Sequence, residues 1–160
     1  MAILVSVAAA LLAAVFAQLP AQNAASQQRV TVTATADPDE AGPGESVSLL
    51  VDVSPKDDFR VFGPGANDFT AVVLKLTAHR SITLGKPKYP VPERESVPGT
   101  NKRTPVYDDR FQIEQPIIIN KRAKSGETIR IVGVLTYQAC DERTAYAKSK
   151  IPVFWTITVR

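Results

Sequence analysis

Apolar and polar residues alternate along most of the chain after residue 29, and this alternation constrains the fold more than any other feature. Successive side chains of a β-strand point to opposite faces, so each alternating run buries one face and exposes the other. No segment after residue 17 keeps a 3.6-residue apolar period long enough for a helix. The alternating runs cover residues 30–35, 47–53, 72–77, 111–119, 127–139 and 151–159.

These runs predict an all-β fold, an immunoglobulin-like antiparallel β-sandwich over residues 29–160 that follows an N-terminal signal segment. Clusters of Pro and Gly at 38–44 and 63–65 separate the runs as turns. Each sheet would have one apolar face, and two such faces bury each other. We expect Trp155 in this core. Pro116 predicts a bulge or an edge strand within 111–119.

The composition excludes several classes of function. The 160 residues carry 19 Lys+Arg against 16 Asp+Glu, and a formal net charge of +3 is too small to indicate nucleic-acid binding. One His and one Cys cannot form a zinc finger or an iron–sulfur site. We therefore predict no metal and no cofactor. A generic adhesion or ligand-binding sandwich remains an alternative, because this fold supports many functions.

The first residues predict export from the cytoplasm. Residues 2–17 are apolar or small and carry no charge, as in the core of a secretory signal. We predict a signal peptide over 1–17 with cleavage after Ala17, a flexible lead-in over 18–28, and no membrane span afterwards. The mature domain would be periplasmic or secreted. A retained N-terminal membrane anchor is the alternative.

The only cysteine, Cys140, lies where one predicted strand ends and a short polar turn begins. This position could expose a reactive thiol at the tip of a hairpin. The physical alternative, which the residues alone favour, is an inert buried thiol, since free cysteines are among the most buried residues. Asp141 and Glu142 should raise the pKa of the thiol, whereas Arg143 should lower it.

The segment Tyr137-Gln138-Ala139-Cys140-Asp141-Glu142, with Tyr146 four residues later, resembles the active-site hairpin of one family, the N-terminal periplasmic domains of thiol:disulfide interchange proteins of the DsbD type. The likeness extends over about residues 29–160. It includes weaker matches in the same order at 53–56, 61–65, 89–90, 99–100, 106–107 and 125–127.

The resemblance implies an immunoglobulin-like domain with a pair of cysteines at this hairpin. In the family the pair accepts electrons from a membrane domain and reduces periplasmic thioredoxin-like and disulfide-isomerase proteins by thiol–disulfide exchange. Here a separate membrane electron-transfer protein would be the donor. The resemblance makes Cys140 the candidate catalytic thiol, with Tyr137, Gln138, Ala145 and Tyr146 shaping the site. It also implies a cap loop within 93–102, with candidate residues Glu93, Glu95, Val97, Gly99 and Thr100.

The chain departs from the family at its second cysteine, since Ala145 stands at that position. One sulfur cannot form an internal disulfide. We therefore predict a degenerate domain that binds periplasmic redox partners instead of passing electrons through two cysteines. The alternative is a single-thiol redox protein that forms mixed disulfides through Cys140. Whether the chain is an enzyme stays open at this point.

Overall fold

The structure is a computed structural model that describes residues 29–160. The predicted signal peptide and lead-in lie outside the described residues. Within 29–160 there is no helix of the length and apolar character needed to span a bilayer. The strands of this part are β1 (Val30–Asp37), β2 (Glu40–Ala41), β3 (Ser46–Pro55), β4 (Arg60–Phe62), β5 (Val73–Leu76), β6 (Ile82–Leu84), β7 (Glu93–Ser96), β8 (Arg103–Tyr107), β9 (Phe111–Ile119), β10 (Thr128–Tyr137), β11 (Ala139–Cys140) and β12 (Ser149–Val159).

Two four-stranded sheets form the predicted sandwich. The first sheet has the order β1-β3-β9-β6 and the second β2-β12-β10-β5. Their strand pairs are antiparallel, except that the short β2 runs parallel to β12. The all-β, immunoglobulin-like prediction is confirmed. Each predicted alternating run contains a strand, and the run at 127–139 is divided, because β10 ends at Tyr137.

The core lies between these two sheets and is formed by the apolar face of each strand. Trp155 of β12 is 3 % exposed, as predicted, and its indole Nε1 donates a hydrogen bond of 3.3 Å to the Leu50 carbonyl of the opposite sheet. Gly133 lies beneath this indole, where a Cβ would come within 3.1 Å of the ring and 3.2 Å of the Lys75 carbonyl. The interior is therefore closely packed around Trp155.

Pro116 does not produce the predicted bulge or edge. Strand β9 lies between β3 and β6, and its ladder with β3 runs without a break from Ser46↔Ile118 to Val53↔Phe111. The Pro116 carbonyl accepts a hydrogen bond from Gly85 N–H, just beyond the end of β6. The N–H and the carbonyl of one strand residue point towards the same neighbouring strand. The N–H that Pro116 lacks would therefore point towards β6, which has already ended there, so no ladder hydrogen bond is lost.

A third, smaller sheet has the strand order β11-β4-β8-β7. Residues 93–102, which were predicted to contain a cap loop, comprise strand β7 and the turn that leads into β8. This sheet has its own apolar cluster, separate from the sandwich core, which we call the cysteine cluster. It contains Phe62, Ala66, Val97, Val106 and Cys140, with Phe69 and Ala145 packed against it.

Candidate functional site

Cys140 leaves the sandwich because the chain changes sheet at Gln138. Strand β10 ends at Tyr137, whose side chain belongs to the sandwich core, and β11 then pairs with β4 of the third sheet. The sulfur is 0 % exposed within the cysteine cluster. Of the two readings that the sequence left open, the buried thiol is correct. An exposed thiol at the hairpin tip is wrong, because the third sheet covers this end of the hairpin.

Ala145 lies directly opposite Cys140 across the hairpin. Hydrogen bonds flank the pair on both sides, from Asp141 N–H to the Thr144 carbonyl at 3.0 Å and from Tyr146 N–H to the Ala139 carbonyl at 2.9 Å. A residue pair flanked in this way is a non-hydrogen-bonded pair, with Cα atoms about 4.5 Å apart. That separation is within the range of disulfides, so the backbone keeps a two-cysteine geometry while the second sulfur is missing.

Asp141 fixes the turn of the hairpin. Its carboxylate accepts hydrogen bonds of 2.8 Å from the N–H groups of Arg143 and Thr144, and one of 2.6 Å from the Tyr146 hydroxyl. The Tyr146 hydroxyl and these N–H groups lower the pKa of Asp141, and the same contact raises the pKa of Tyr146. The Arg29 guanidinium lies 3.7 Å from the centre of the Tyr146 ring. Tyr146 therefore stabilises the turn and lies outside the cysteine cluster.

Gln138 connects the hairpin to the segment that follows β4. Its amide oxygen accepts a hydrogen bond of 2.7 Å from Thr70 N–H, and its Nε2 donates one of 2.8 Å to the Tyr146 carbonyl. The Gln138 carbonyl also accepts from Phe62 N–H at 3.0 Å. Gln138 therefore holds both sides of the cysteine cluster in place.

An aromatic residue that the sequence did not identify helps to enclose the thiol. Phe69 stacks on Phe62 with ring centres 4.1 Å apart and an interplanar angle of 4°. It is half-buried and packs against the cysteine cluster. The signal that could have identified it is an isolated aromatic shortly after the Gly63-Pro64-Gly65 turn, 71 positions before the cysteine.

The residues predicted to form a cap differ in where they lie relative to the cysteine cluster. Val97 contributes its side chain to the cysteine cluster. A Cβ on Gly99 would be 3.8 Å from the Phe69 ring. The Thr100 hydroxyl only accepts from Lys102 N–H. Glu93 and Glu95 lie on β7 near Asp108, and the carboxylate oxygens of these three residues are within 4.8 Å of one another. They are the residues that could hold a cation, but Glu95 is already paired with an arginine.

That arginine is Arg60, the β4 residue opposite Cys140. Its guanidinium bonds to the Glu95 carboxylate at 2.7 Å and donates to the Asp141 carbonyl at 3.3 Å. Burial raises the pKa of the Cys140 thiol, Arg60 opposes this increase, and Asp141 and Glu95 add to it. The cation that acts on the thiol is thus Arg60, whereas the sequence suggested Arg143. A neutral, enclosed thiol is a poor nucleophile.

A hairpin-borne thiol beside an immunoglobulin-like sandwich defines this molecule as a thiol-bearing β-sandwich domain. The chain belongs to the family described as thiol:disulfide interchange protein DsbD, N-terminal, whose sequence model matches residues 17–147. The predicted family is thereby confirmed. No curated protein matches the chain.

Ten solved chains match this one, and two of them illustrate the likeness. The N-terminal periplasmic domain of ScsB from Proteus mirabilis matches with 17 % identity and a TM-score of 0.54, over 84 % of this chain and 48 % of that one. The DsbD N-terminal domain of Neisseria meningitidis in the reduced form matches with 20 % identity and a TM-score of 0.48, over 69 % and 78 %. The chain spans about half the length of the ScsB domain, and that likeness supports the fold.

Proposed function

We propose that this chain is an exported domain that binds periplasmic thioredoxin-like or disulfide-isomerase proteins without passing electrons through a cysteine pair. The observation that carries the proposal is the pairing of a fully buried Cys140 with Ala145. The hairpin keeps the framework of a two-thiol site. A two-electron relay needs a second sulfur to accept the bond, and Ala145 has none.

The family and the charge-free N-terminal run support the exported location. Binding would use the surface around the hairpin, where hydrogen bonds to Asp141 hold the turn at 141–144 and residues 142–144 are exposed. A turn ordered before binding loses less conformational entropy on association.

A single-thiol redox protein is the second candidate, and Arg60 favours it, since a cation opposite the sulfur stabilises a thiolate. In that reaction the Cys140 thiolate attacks a partner disulfide, a mixed disulfide forms, and the other partner sulfur leaves as a thiolate. Within the complex of one chain and one partner, only that released thiolate can resolve the mixed disulfide, and this restores the starting pair. The partner gains no electrons in this cycle.

The test compares thiol reactivity and partner binding. We expect native Cys140 to react with an aromatic disulfide reagent at least about 100-fold more slowly than the urea-unfolded chain, because the sulfur is enclosed. We also expect thioredoxin-like proteins whose second active-site cysteine is replaced by serine, and whose first is activated as a mixed disulfide with an aromatic thiol, to bind in calorimetry. No covalent adduct should form on non-reducing gels, although attack by Cys140 would only have to release the aromatic thiolate.

The variant Cys140→Ser separates the two candidates. If the domain acts by binding, the variant retains its affinity for the partners. An adduct that accumulates with the native chain and disappears with Cys140→Ser would replace this proposal with the single-thiol reaction. Absence of any partner binding would refute both.

A further inference from the structure

The outer face of the second sheet exposes a contiguous group of apolar side chains. Val132 pairs with Phe154 and Val134 with Pro152 on the neighbouring strands β10 and β12. Val132, Val134 and Phe154 are 36 %, 37 % and 47 % exposed. Directly paired side chains are about 5 Å apart, so these four residues form one patch. Contiguous exposed apolar patches on a soluble domain indicate a contact surface more often than isolated apolar residues do.

Cations surround this patch. Lys75 of β5 pairs with Val134, Lys150 of β12 pairs with Thr136, and the Arg130 guanidinium lies 5.2 Å from the centre of the Phe154 ring. Strands β5, β10 and β12 contain no Asp or Glu. We call the apolar patch with these three cations the basic-apolar face.

A groove of about 470 Å³ crosses one side of this face. It places the two lysines beside apolar side chains, so an acidic group could lie between them while its neighbours contact the valines. The lining residues are Val73, Lys75, Leu76, Thr77, Val134, Thr136 and Lys150.

We propose that the basic-apolar face binds an acidic protein segment that also carries apolar side chains. An apolar centre with a polar rim is the usual arrangement of a protein interface, and Phe154 and Arg130 are of residue types enriched there. The charge of the rim selects an acidic partner. This surface does not involve Cys140, which lies in the separate cluster beneath the third sheet.

Other occupants fit the face less well. A second copy would bring the same three cations together, which is unfavourable. Strand addition at the edge strand β5 would compete with the Tyr89 hydroxyl, which already accepts from Leu74 N–H at 3.0 Å. The valines are only just over one-third exposed, so they protrude too little for insertion into a bilayer.

The test uses a synthetic peptide that alternates glutamate with leucine, added to the ¹⁵N-labelled protein. We expect amide chemical-shift changes at residues 73–77, 130–136 and 150–156, with affinity that falls as salt is raised. The double variant Lys75→Glu plus Lys150→Glu should weaken binding about tenfold. The matched control, Lys121→Glu plus Lys124→Glu on the loop after β9, should leave it unchanged.

Three results would overturn the proposal. One is equal binding of the peptide in which lysine replaces glutamate, and another is shift changes confined to other surfaces. The third is no peptide binding, which would leave two other occupants to measure. Sedimentation with phosphatidylglycerol vesicles would then assign the face to a lipid surface, and a dimer abolished by Phe154→Ser would assign it to a second copy.

Discussion

At the scale of single residues, the chemistry of this domain depends on what surrounds one sulfur. Cys140 has an alanine opposite it on one side and an arginine on the other. Because the alanine has no sulfur, no internal disulfide can form, and the apolar cluster excludes solvent from the thiol. One substitution can restore the second sulfur, and a different one can expose the thiol.

Ala145→Cys should restore an internal disulfide. The pair is non-hydrogen-bonded, and its backbone separation of about 4.5 Å suits a disulfide without large movement. We expect the oxidised variant to lose both free thiols and two mass units on mass spectrometry. In the matched control, Thr144→Cys, the new side chain points away from Cys140. That variant should keep two free thiols, and a disulfide in it alone would contradict the hairpin register.

Phe69→Ala should expose the thiol. The Phe69 ring stacks on Phe62 over the cysteine cluster, and its removal opens a path to the sulfur. We expect the rate of alkylation of Cys140 to rise at least about tenfold, since access limits a buried thiol. Phe59→Ala removes an aromatic that contacts Tyr146 and lies outside the cluster. It should change the rate little, and an equal increase in both variants would indicate general loosening.

The sequence identified Cys140 and its missing partner Ala145 because both lie within one short motif. It did not identify Phe69 or Arg60, which come from segments more than 70 positions away. Their proximity to the thiol depends on the pairing of β4 with β11, and β4 is only three residues long. A strand of that length leaves too few alternating residues to be recognised.

At the scale of elements, the long strands could be predicted because each has a buried and an exposed face. The third sheet could not, because β7 reads Glu-Arg-Glu-Ser and β8 contains Pro105. Hydrogen bonds between backbone groups, such as those from Glu93↔Val106 to Ser96↔Arg103, stabilise this hairpin without apolar alternation. The prediction of a bulge or an edge at Pro116 was wrong for a related reason. Only the position of the neighbouring strand β6 shows that the sheet does not need the N–H that Pro116 lacks.

Gln138→Ala should destabilise the contact between the sandwich and the third sheet. The variant loses hydrogen bonds to Thr70 N–H and the Tyr146 carbonyl, and partly buried groups left without partners cost about 1–3 kcal/mol of unfolding free energy. Urea denaturation would measure this loss, and hydrogen exchange should accelerate at Thr70. Gln112→Ala is the matched control, because that side chain is exposed. Equal losses of unfolding free energy in both variants would show that the hydrogen bonds of Gln138 stabilise the fold no more than an exposed side chain does.

At the scale of the whole molecule, the buried thiol links stability to pH. Burial raises the pKa of Cys140 above the usual thiol value of 9.0, so its contribution to stability is complete below about pH 9 and is lost as pH rises further. Tyr107, with a pKa raised to about 12, adds a similar loss above about pH 10. Urea denaturation between pH 8 and 11 should therefore show an unfolding free energy that stays level up to about pH 9 and falls above it, by at most about 1.4 kcal/mol per pH unit for each of the two groups.

Cys140→Ala should make the unfolding free energy fall less steeply with pH, because the variant lacks the titrating thiol and keeps Tyr107. The absolute stability of the variant will differ for packing reasons, so the slope is the quantity compared. Identical slopes for the two proteins would mean that the thiol ionises as freely in the folded chain as in the unfolded one.

The alanine opposite the sulfur also determines how the domain responds to its surroundings. A domain with two adjacent thiols exists in two covalent forms, and an oxidant or reductant changes its contact surface along with its chemistry. This hairpin has a single covalent form as long as its sulfur stays enclosed. Its affinity for another protein would then be the same under oxidising and reducing conditions, so binding would be constitutive instead of following the electron supply.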